Sequence, residues 1–80
     1  MPSLREKFGQ RLKAIRLARK LSQEQFAELL GISVDFLSLI ERGINAPLFE
    51  NLDAFSVQLK IPLGVLFDFD TTLVDPSSRE

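Results

Sequence analysis

The 80-residue sequence contains no cysteine and no histidine. These absences exclude disulfides, thiol nucleophiles, zinc sites built from Cys and His, and imidazole general bases. Its apolar runs are shorter than the ~18 residues that a membrane-spanning helix needs, and no signal peptide is recognisable at the N-terminus. We therefore expect a cytoplasmic protein without membrane contact, and we predict no metal, no cofactor and no small-molecule ligand.

Acidic and basic residues are unevenly distributed, although the formal net charge is only -1. Residues 1–47 carry eight Lys and Arg against five Asp and Glu, a balance of +3, whereas residues 48–80 carry two against six, a balance of -4. Seven of the ten basic residues lie within the first twenty positions. Because phosphate contact needs a basic face and not a basic total, the acidic isoelectric point does not exclude nucleic acid as a partner.

The length and the 45% hydrophobic content are those of one small globular domain. We expect a single domain over residues 1–80, with its core in residues 4–68 and a C-terminal tail in residues 69–80. A core of this size leaves little net stability, so dimerisation is expected. Exposed apolar residues in the tail would serve a dimer contact, namely Phe69, Leu73 and Val74.

The N-terminal segment has the apolar spacing of an amphipathic helix. Its apolar stripe consists of Leu4, Phe8, Leu12 and Ile15. At about 100° per residue, a basic flank lies beside this stripe, formed by Arg5, Lys13, Arg16 and Lys20. Such a flank is more often a solvated face than a binding surface, but the segments that follow favour binding here.

The next segment predicts two short capped helices separated by one tight turn. Ser22 fits the N-cap of the first helix, and Gln25 completes a capping box three residues later. Gly31 suits the left-handed cap of that helix, while Ser33 can cap the next helix, which Gly43 ends. Two helices of any bundle could show this pattern, but so tight a turn is typical of a helix-turn-helix.

Two further helices are predicted in the second half of the chain. Pro47 suits the first turn of the fourth helix, and Pro62 opens a short fifth helix. The apolar residues expected to face the core are Phe49, Leu52, Phe55 and Leu59 in the fourth helix, and Leu63, Leu66 and Phe67 in the fifth.

In their order and spacing these residues resemble the XRE family of helix-turn-helix domains, the phage-repressor and Cro type. The matching positions span residues 8–67 and are Phe8-Gly9, Leu12, Arg16, Leu21-Ser22-Gln23, Phe26-Ala27, Leu30-Gly31-Ile32-Ser33, Ile40-Glu41-Arg42-Gly43, Pro47, Leu52, Leu59 and Leu66-Phe67. The resemblance implies an all-α fold, a compact lambda-repressor-like bundle of five helices whose second and third helices dock on DNA. It also implies a structural ion pair between Arg16 and Glu41. A small hydroxyl residue usually caps the fourth helix in this family, and this sequence has Leu48 there.

For the third helix, the resemblance implies an outer face that enters the major groove. The residues that would approach base edges are Ser33, Val34, Asp35, Ser38 and Leu39. Val34 and Leu39 form no hydrogen bonds but can pack against a thymine methyl group, and Asp35 can accept from cytosine N4. Affinity would then depend on phosphate contacts, for which the candidates are Gln23, Arg42, Asn45, Lys13 and Lys20.

These features predict a sequence-specific transcriptional regulator, of repressor or controller type, that binds double-stranded DNA as a homodimer on an inverted repeat. The alternative is a protein-interaction module on the same scaffold, for example an antitoxin-like one, in which Val34 and Leu39 form an apolar face for a partner. Salt separates the two, because phosphate-driven binding weakens steeply as salt rises and apolar contact does not.

Residues 65–75, VLFDFDTTLVD, also resemble the first motif of haloacid-dehalogenase-type phosphatases. In that family Asp68 would be the nucleophile and Asp70 the general acid. Thr71 stands where that motif has glycine, and the five residues that follow leave no sequence for the sheet and the distal catalytic residues. The apolar residues before Asp68 are already needed in the fifth helix, so we predict no catalytic residues and no enzymatic activity.

Overall fold

The structure is a computed structural model that describes residues 2–69. Within this range the chain forms five helices: α1 (Leu4–Ala18), α2 (Gln23–Leu30), α3 (Val34–Glu41), α4 (Phe49–Leu59) and α5 (Leu63–Leu66). Strands are absent from the described range, which confirms the all-α, five-helix prediction. None of these helices is both long enough and apolar enough to span a bilayer.

One hydrophobic core joins the helices. Its buried residues are Phe8, Leu12, Ile15, Phe26, Ala27, Leu30, Leu37, Ile40, Phe55, Leu59 and Leu66. Helix α3 packs against both α1 and α2, while α4 packs on α2 and α5 lies against α4 and α1. Because α3 contacts both preceding helices through its buried face, its opposite face is left toward solvent.

Local hydrogen bonds set the ends of α2 and α3 where the sequence predicted them. The Ser22 hydroxyl accepts from the Gln25 amide at 3.1 Å, and the Gln25 side-chain oxygen accepts from the Ser22 amide at 2.9 Å. Gly31 adopts a left-handed conformation with φ of 76°, and the Ser33 hydroxyl accepts from the Phe36 amide at 3.0 Å. The predicted capping box and both other caps are therefore confirmed.

A further capping box begins α1, where the sequence analysis had not identified one. The Ser3 hydroxyl accepts from the Glu6 amide at 3.2 Å, and the Glu6 carboxylate accepts from the Ser3 amide at 2.8 Å. This hydrogen bond from the Ser3 backbone stabilises the charged carboxylate and lowers the pKa of Glu6.

Helices α1 and α3 approach each other closely at Gly9, which is buried. A Cβ atom at this position would overlap the backbone carbonyl oxygen of Ile40. The absence of a side chain at Gly9 therefore sets the distance between α1 and α3, and with it the position of α3 in the bundle.

Two features of the predicted first helix are wrong. Leu4 is 61% exposed, because it lies in the first turn of α1 at the edge of the bundle, so the buried stripe begins at Phe8. Helix α1 ends at Ala18, and Lys20 lies beyond it with φ of 59°. Lys20 therefore belongs to the turn between α1 and α2 and is not on the flank of α1.

The start of α4 also differs from the prediction. Leu48 is the N-cap and Phe49 the first helical residue, so Pro47 lies before the helix and not in its first turn. Leu48 has no side-chain oxygen to cap the helix, although its own amide donates to the Asn51 side chain at 2.8 Å. Phe49 is 87% exposed, because at the tip of α4 the helix has not yet reached the core.

The C-terminal part of the described chain continues the core beyond α5. Phe69, the first residue of the predicted tail, packs partly buried against the core, and its ring meets the Phe67 ring edge-on at 5.9 Å. Leu63 is exposed, contrary to its predicted inward position. Leu73 and Val74 lie outside the described residues.

The phosphatase-like motif is not on a strand within the described range. Val65 and Leu66 form the last turn of α5, whereas that motif needs its first aspartate at the end of a strand. Asp70 and Thr71 lie outside the described residues.

Candidate nucleic-acid interface

A buried ion pair connects the end of α3 to α1. Arg16 Nε lies 2.7 Å from Glu41 Oε2, and Arg16 Nη2 donates to Glu41 Oε1 at 3.2 Å. The Arg16 guanidinium also donates to the backbone carbonyl of Leu21 at 3.0 Å. These bonds hold both charges in a largely buried position, where the loss of either partner would leave the other charge without compensation.

Gln23 joins the same group of side chains from the first turn of α2. Its Nε2 donates to Glu41 Oε1 at 3.0 Å, so one carboxylate is held by groups from both α1 and α2. Gln23 was predicted as a phosphate contact. Because one hydrogen of Nε2 is used in this bond, only the second N–H of the Gln23 amide is left to donate to a phosphate.

The outer face of α3 offers little hydrogen-bonding capacity. Val34 and Asp35 are exposed, whereas Ser38 and Leu39 are half-buried. The Ser33 hydroxyl accepts from the Phe36 amide, so it retains its donor but has committed an acceptor site. The side chains predicted to face bases thus lie on α3 and at its N-cap, Ser33, and Ser38 and Leu39 are less exposed than the predicted outer face requires.

The turn after α3 places two predicted phosphate contacts at the same end of that helix. Arg42 caps α3 and is exposed, and Gly43 follows with φ of 76°. The backbone amides of Ile44 and Asn45 both donate to the Leu39 carbonyl, at 2.9 and 3.2 Å. These two hydrogen bonds hold the backbone of the exposed Asn45 against the last turn of α3.

Arginines of the N-terminal segment bind backbone carbonyls of other segments. Four guanidinium groups do so at 2.7–3.0 Å: Arg5 to Ile44, Arg11 to Val65, Arg16 to Leu21 and Arg19 to Leu59. Arginine suits this role because its donors form a rigid fork and its charge persists. Arg5, predicted as part of a basic flank, instead supports the turn after α3.

The lysines of the same segment behave differently. Lys13 on α1 and Lys20 in the following turn are exposed. Among residues 2–69 their ammonium groups have no hydrogen-bond or ion-pair partner. In the N-terminal segment, the side chains of these two lysines are thus not used by the fold. The difference between Arg and Lys was the sequence signal that could have indicated the structural roles of Arg11 and Arg19.

Comparison with known proteins gives three findings on the sequence. The helix-turn-helix family matches residues 12–66. The chain is 38% identical over 71 residues, 89% of its length, to the immunity repressor protein of Bacillus phage phi105. It is 48% identical over 42 residues, 52% of its length, to the uncharacterized HTH-type transcriptional regulator YazB of Bacillus subtilis strain 168. The matched regions span only 49% and 61% of these two relatives.

A solved structure has a similar fold. The chain resembles the crystal structure of the clp gene regulator ClgR from C. glutamicum with a TM-score of 0.74 and 25% sequence identity. The match covers 92% of this chain and 100% of that chain.

Proposed function

Because the chain belongs to the XRE-type helix-turn-helix family, we propose that it is a DNA-binding transcriptional regulator of repressor or controller type that acts in the cytoplasm. In this proposal α3 enters the major groove of double-stranded DNA. The observation that carries the proposal is that α3 is held in place by both preceding helices. Glu41 at its end is bound by Arg16 of α1 and by Gln23 of α2. A helix held in this way presents its outer face to DNA without further ordering.

The chemistry of α3 favours a particular kind of base contact. Its outer face carries no Arg, Lys, Gln or Asn within the helix, so it lacks the side chains that bind guanine or adenine in bidentate fashion. Val34 and Leu39 offer aliphatic surface, which fits the methyl group of thymine, and Asp35 offers an acceptor for the amino group of cytosine. We propose that Ser33 and Ser38 supply the remaining hydrogen bonds to base edges.

Phosphate contacts would supply most of the affinity. We propose that Arg42 and Asn45 bind phosphates at one end of α3, with Gln23, Lys13 and Lys20 as further contacts. Arg42, Asn45, Lys13 and Lys20 are exposed, which supports this assignment. The protein would bind an inverted repeat as a homodimer, with its reading helices about 34 Å apart, one helical turn of DNA.

Selection of bound duplexes from a random pool at moderate salt tests this function. A consensus with two inverted half-sites would support it, whereas retention without sequence preference would contradict specific binding. Arg42→Ala should then weaken binding to every duplex about equally, because a phosphate contact carries no base information. Val34→Ala should instead change the preferred base.

Replacement of individual thymines by deoxyuridine in the selected half-site tests the methyl contact directly. Loss of the methyl group that Val34 contacts should cost about 0.8 kcal/mol, or about fourfold in Kd. The Val34→Ala variant is the matched control, since it should bind the thymine and deoxyuridine duplexes equally. Equal sensitivity in both proteins would contradict the assignment of Val34.

A protein-interaction module that uses Val34 and Leu39 remains the alternative function. The partial burial of Leu39 reduces the apolar area available to such a partner. Dependence on salt distinguishes the two functions, because release of counterions makes DNA binding fall steeply as salt rises. Absence of retention on DNA, together with binding to a protein partner that does not weaken as salt rises, would favour the alternative.

A further inference from the structure

An apolar groove with a volume of about 440 Å³ lies where α1 and α4 begin. We call this site the apolar groove, and its lining includes Leu4, Phe8, Pro47, Phe49, Leu52 and Phe67. Two of its lining rings, those of Phe8 and Phe67, stack with their centroids 5.1 Å apart. Arg5 is the only charged residue among the described residues that line it.

Phe49 is the most exposed large apolar side chain among the described residues. It lies at the rim of the apolar groove with 87% of its surface in contact with solvent, and its neighbour Leu48 is 66% exposed. Exposed apolar side chains beside an apolar groove mark an interaction site on a small domain. This surface therefore combines the apolar groove with an exposed aromatic side chain, Phe49, at its rim.

We propose that a second copy of this chain covers the apolar groove, with the Phe49 ring of each copy inserted into the groove of the other across a two-fold axis. A two-fold interface requires one patch that is complementary to itself. A projecting ring beside an apolar cavity meets this requirement. The inference rests on the proposed function in one respect: it identifies this surface as the contact between the two copies that bind an inverted repeat.

Charge at the rim is also complementary between two such copies. Glu50 follows Phe49 and is exposed, so insertion of Phe49 would bring the Glu50 carboxylate to the rim of the partner's groove. Arg5 lies there and uses Nη1 to bind the Ile44 carbonyl at 2.8 Å, which leaves other donors of its guanidinium. Opposite charges at the edge of an interface favour the correct orientation of the partners.

The exposed apolar area predicts a weak dimer. With about 200 Å² for an aromatic side chain and about 100 Å² for a leucine, Leu4, Leu48, Phe49 and Phe67 expose on the order of 400 Å² per copy. Two copies would therefore bury an area below about 1,200 Å², the class of weak and transient contacts. We expect the free protein to be mostly monomeric when dilute and to dimerise on DNA, where the two half-sites bring the copies together.

Sedimentation equilibrium of the full chain over a wide concentration range tests the contact without DNA. Phe49→Ser should raise the dimer Kd by about tenfold or more, because each dimer loses two buried rings. Leu17→Ser is the matched control, since Leu17 is an exposed apolar residue of α1 that does not line the apolar groove. Both variants keep the net charge. Equal effects of the two substitutions, or a wild type that stays monomeric at every concentration, would overturn the proposal.

Binding to DNA separates this proposal from the proposed function. Wild type and Phe49→Ser should bind a duplex with one half-site equally, whereas wild type alone should gain affinity on the inverted repeat. If the single half-site is not bound, the proposed function fails while sedimentation still tests the groove. If Phe49→Ser binds the inverted repeat as cooperatively as wild type, the groove proposal fails while the reading helix is unaffected.

A photo-crosslinker identifies what occupies the groove. With p-benzoylphenylalanine at position 49, a mixture of isotopically labelled and unlabelled protein should give cross-links between copies, mapped by mass spectrometry to Leu4 or Leu52. Cross-links within one chain to residues 70–80 would overturn the proposal, because the occupant would then be the chain's own C-terminal segment.

Discussion

The helix-turn-helix, residues 22–43, and the α4–α5 segment, residues 48–67, differ in how their helix ends are held. Helices α2 and α3 begin with serine caps, and glycines with positive φ follow both of them. Helices α4 and α5 begin without a side-chain cap, and Lys60 takes the left-handed position after α4. The helix ends of the first region are therefore fixed by residues next to them in the sequence, whereas the helices of the second region lack such caps.

Distant arginines bind the C-terminal ends of α4 and α5. Arg19 donates to the carbonyl of Leu59, the last residue of α4, and Arg11 donates to the Val65 carbonyl in α5. The Ser56 hydroxyl also donates to the Ile61 carbonyl at 2.7 Å, just after α4. A cation at a helix C-terminus satisfies unpaired carbonyl groups and interacts favourably with the helix dipole. Both regions thus contact arginines of α1, but the first also has its own serine and glycine caps, whereas in the second the arginines bind the carbonyls near its helix C-termini.

The largest effect is expected from breaking that pair. Arg16→Leu leaves the buried Glu41 carboxylate with Gln23 as its remaining partner, and we expect a loss of about 3–5 kcal/mol in the free energy of unfolding. Chemical denaturation measures it. The double variant Arg16→Leu, Glu41→Leu should recover most of the loss, because no buried charge is then left unpaired. A loss below about 1 kcal/mol in the single variant would contradict a buried ion pair.

A smaller effect is expected at two glycines in different environments, namely Gly9, where α1 packs against α3 of the first region, and Gly64 in α5 of the second region. Gly9→Ala should destabilise by about 1–3 kcal/mol, because its Cβ would push α1 away from the Ile40 carbonyl. Gly64→Ala in α5 is the matched control. No atom lies within 4 Å of its added Cβ, so it should gain about 0.5–1 kcal/mol from helix propensity. Thermal unfolding compares them, and a tolerated Gly9→Ala would mean that α1 and α3 are not closely packed there.

The absent cap of α4 can be restored. Leu48→Ser should stabilise by about 0.5–2 kcal/mol, because a serine hydroxyl at the N-cap accepts from an amide in the first turn. The melting temperature of dilute protein is the suitable measurement, since Leu48 also contributes to the proposed dimer surface. An unchanged or lower melting temperature would show that α4 does not begin at Phe49.

The smallest effect is expected at the end of α4. Lys60 has φ of 57°, a conformation that costs a residue with a side chain about 1–2 kcal/mol and that glycine adopts readily. After the greater chain entropy of glycine is taken into account, Lys60→Gly should stabilise by about 0.5–1 kcal/mol. Lys60→Ala is the control, because it removes the ammonium group but keeps the Cβ. If alanine stabilises as much as glycine, the side-chain charge and not the backbone conformation is the cause.

The sequence predicted the first region well because its signals are local. Ser22 and Gln25 lie three residues apart, and Gly31 ends the helix that they begin, so each signal acts on its own neighbours. The start of α4 was misread for a related reason. Phe49 has the helical spacing of Leu52 and Phe55, but spacing gives the direction of a side chain and not the depth of the core beside it.

The candidate site was predictable only in part. The pairing of Arg16 with Glu41 followed from the resemblance, but the bond from Gln23 to the same carboxylate depends on where α2 meets α3. The structural role of Arg5 was missed because its acceptor, the Ile44 carbonyl, is 39 positions away. The DNA contacts of Val34, Asp35 and Arg42 stay predictions, as does the division of the chain into domain and tail.

The sequence by itself determined the helix-turn-helix, since capping boxes, left-handed glycines and apolar spacing act over about four residues, the range within which helix ends are set. Only the tertiary structure decided which basic residues support the fold and which remain exposed, and where the apolar groove lies. Those outcomes depend on contacts between segments far apart in the chain, such as Arg19 with Leu59 and Phe8 with Phe67. The residues next to a given position in the sequence do not indicate such contacts.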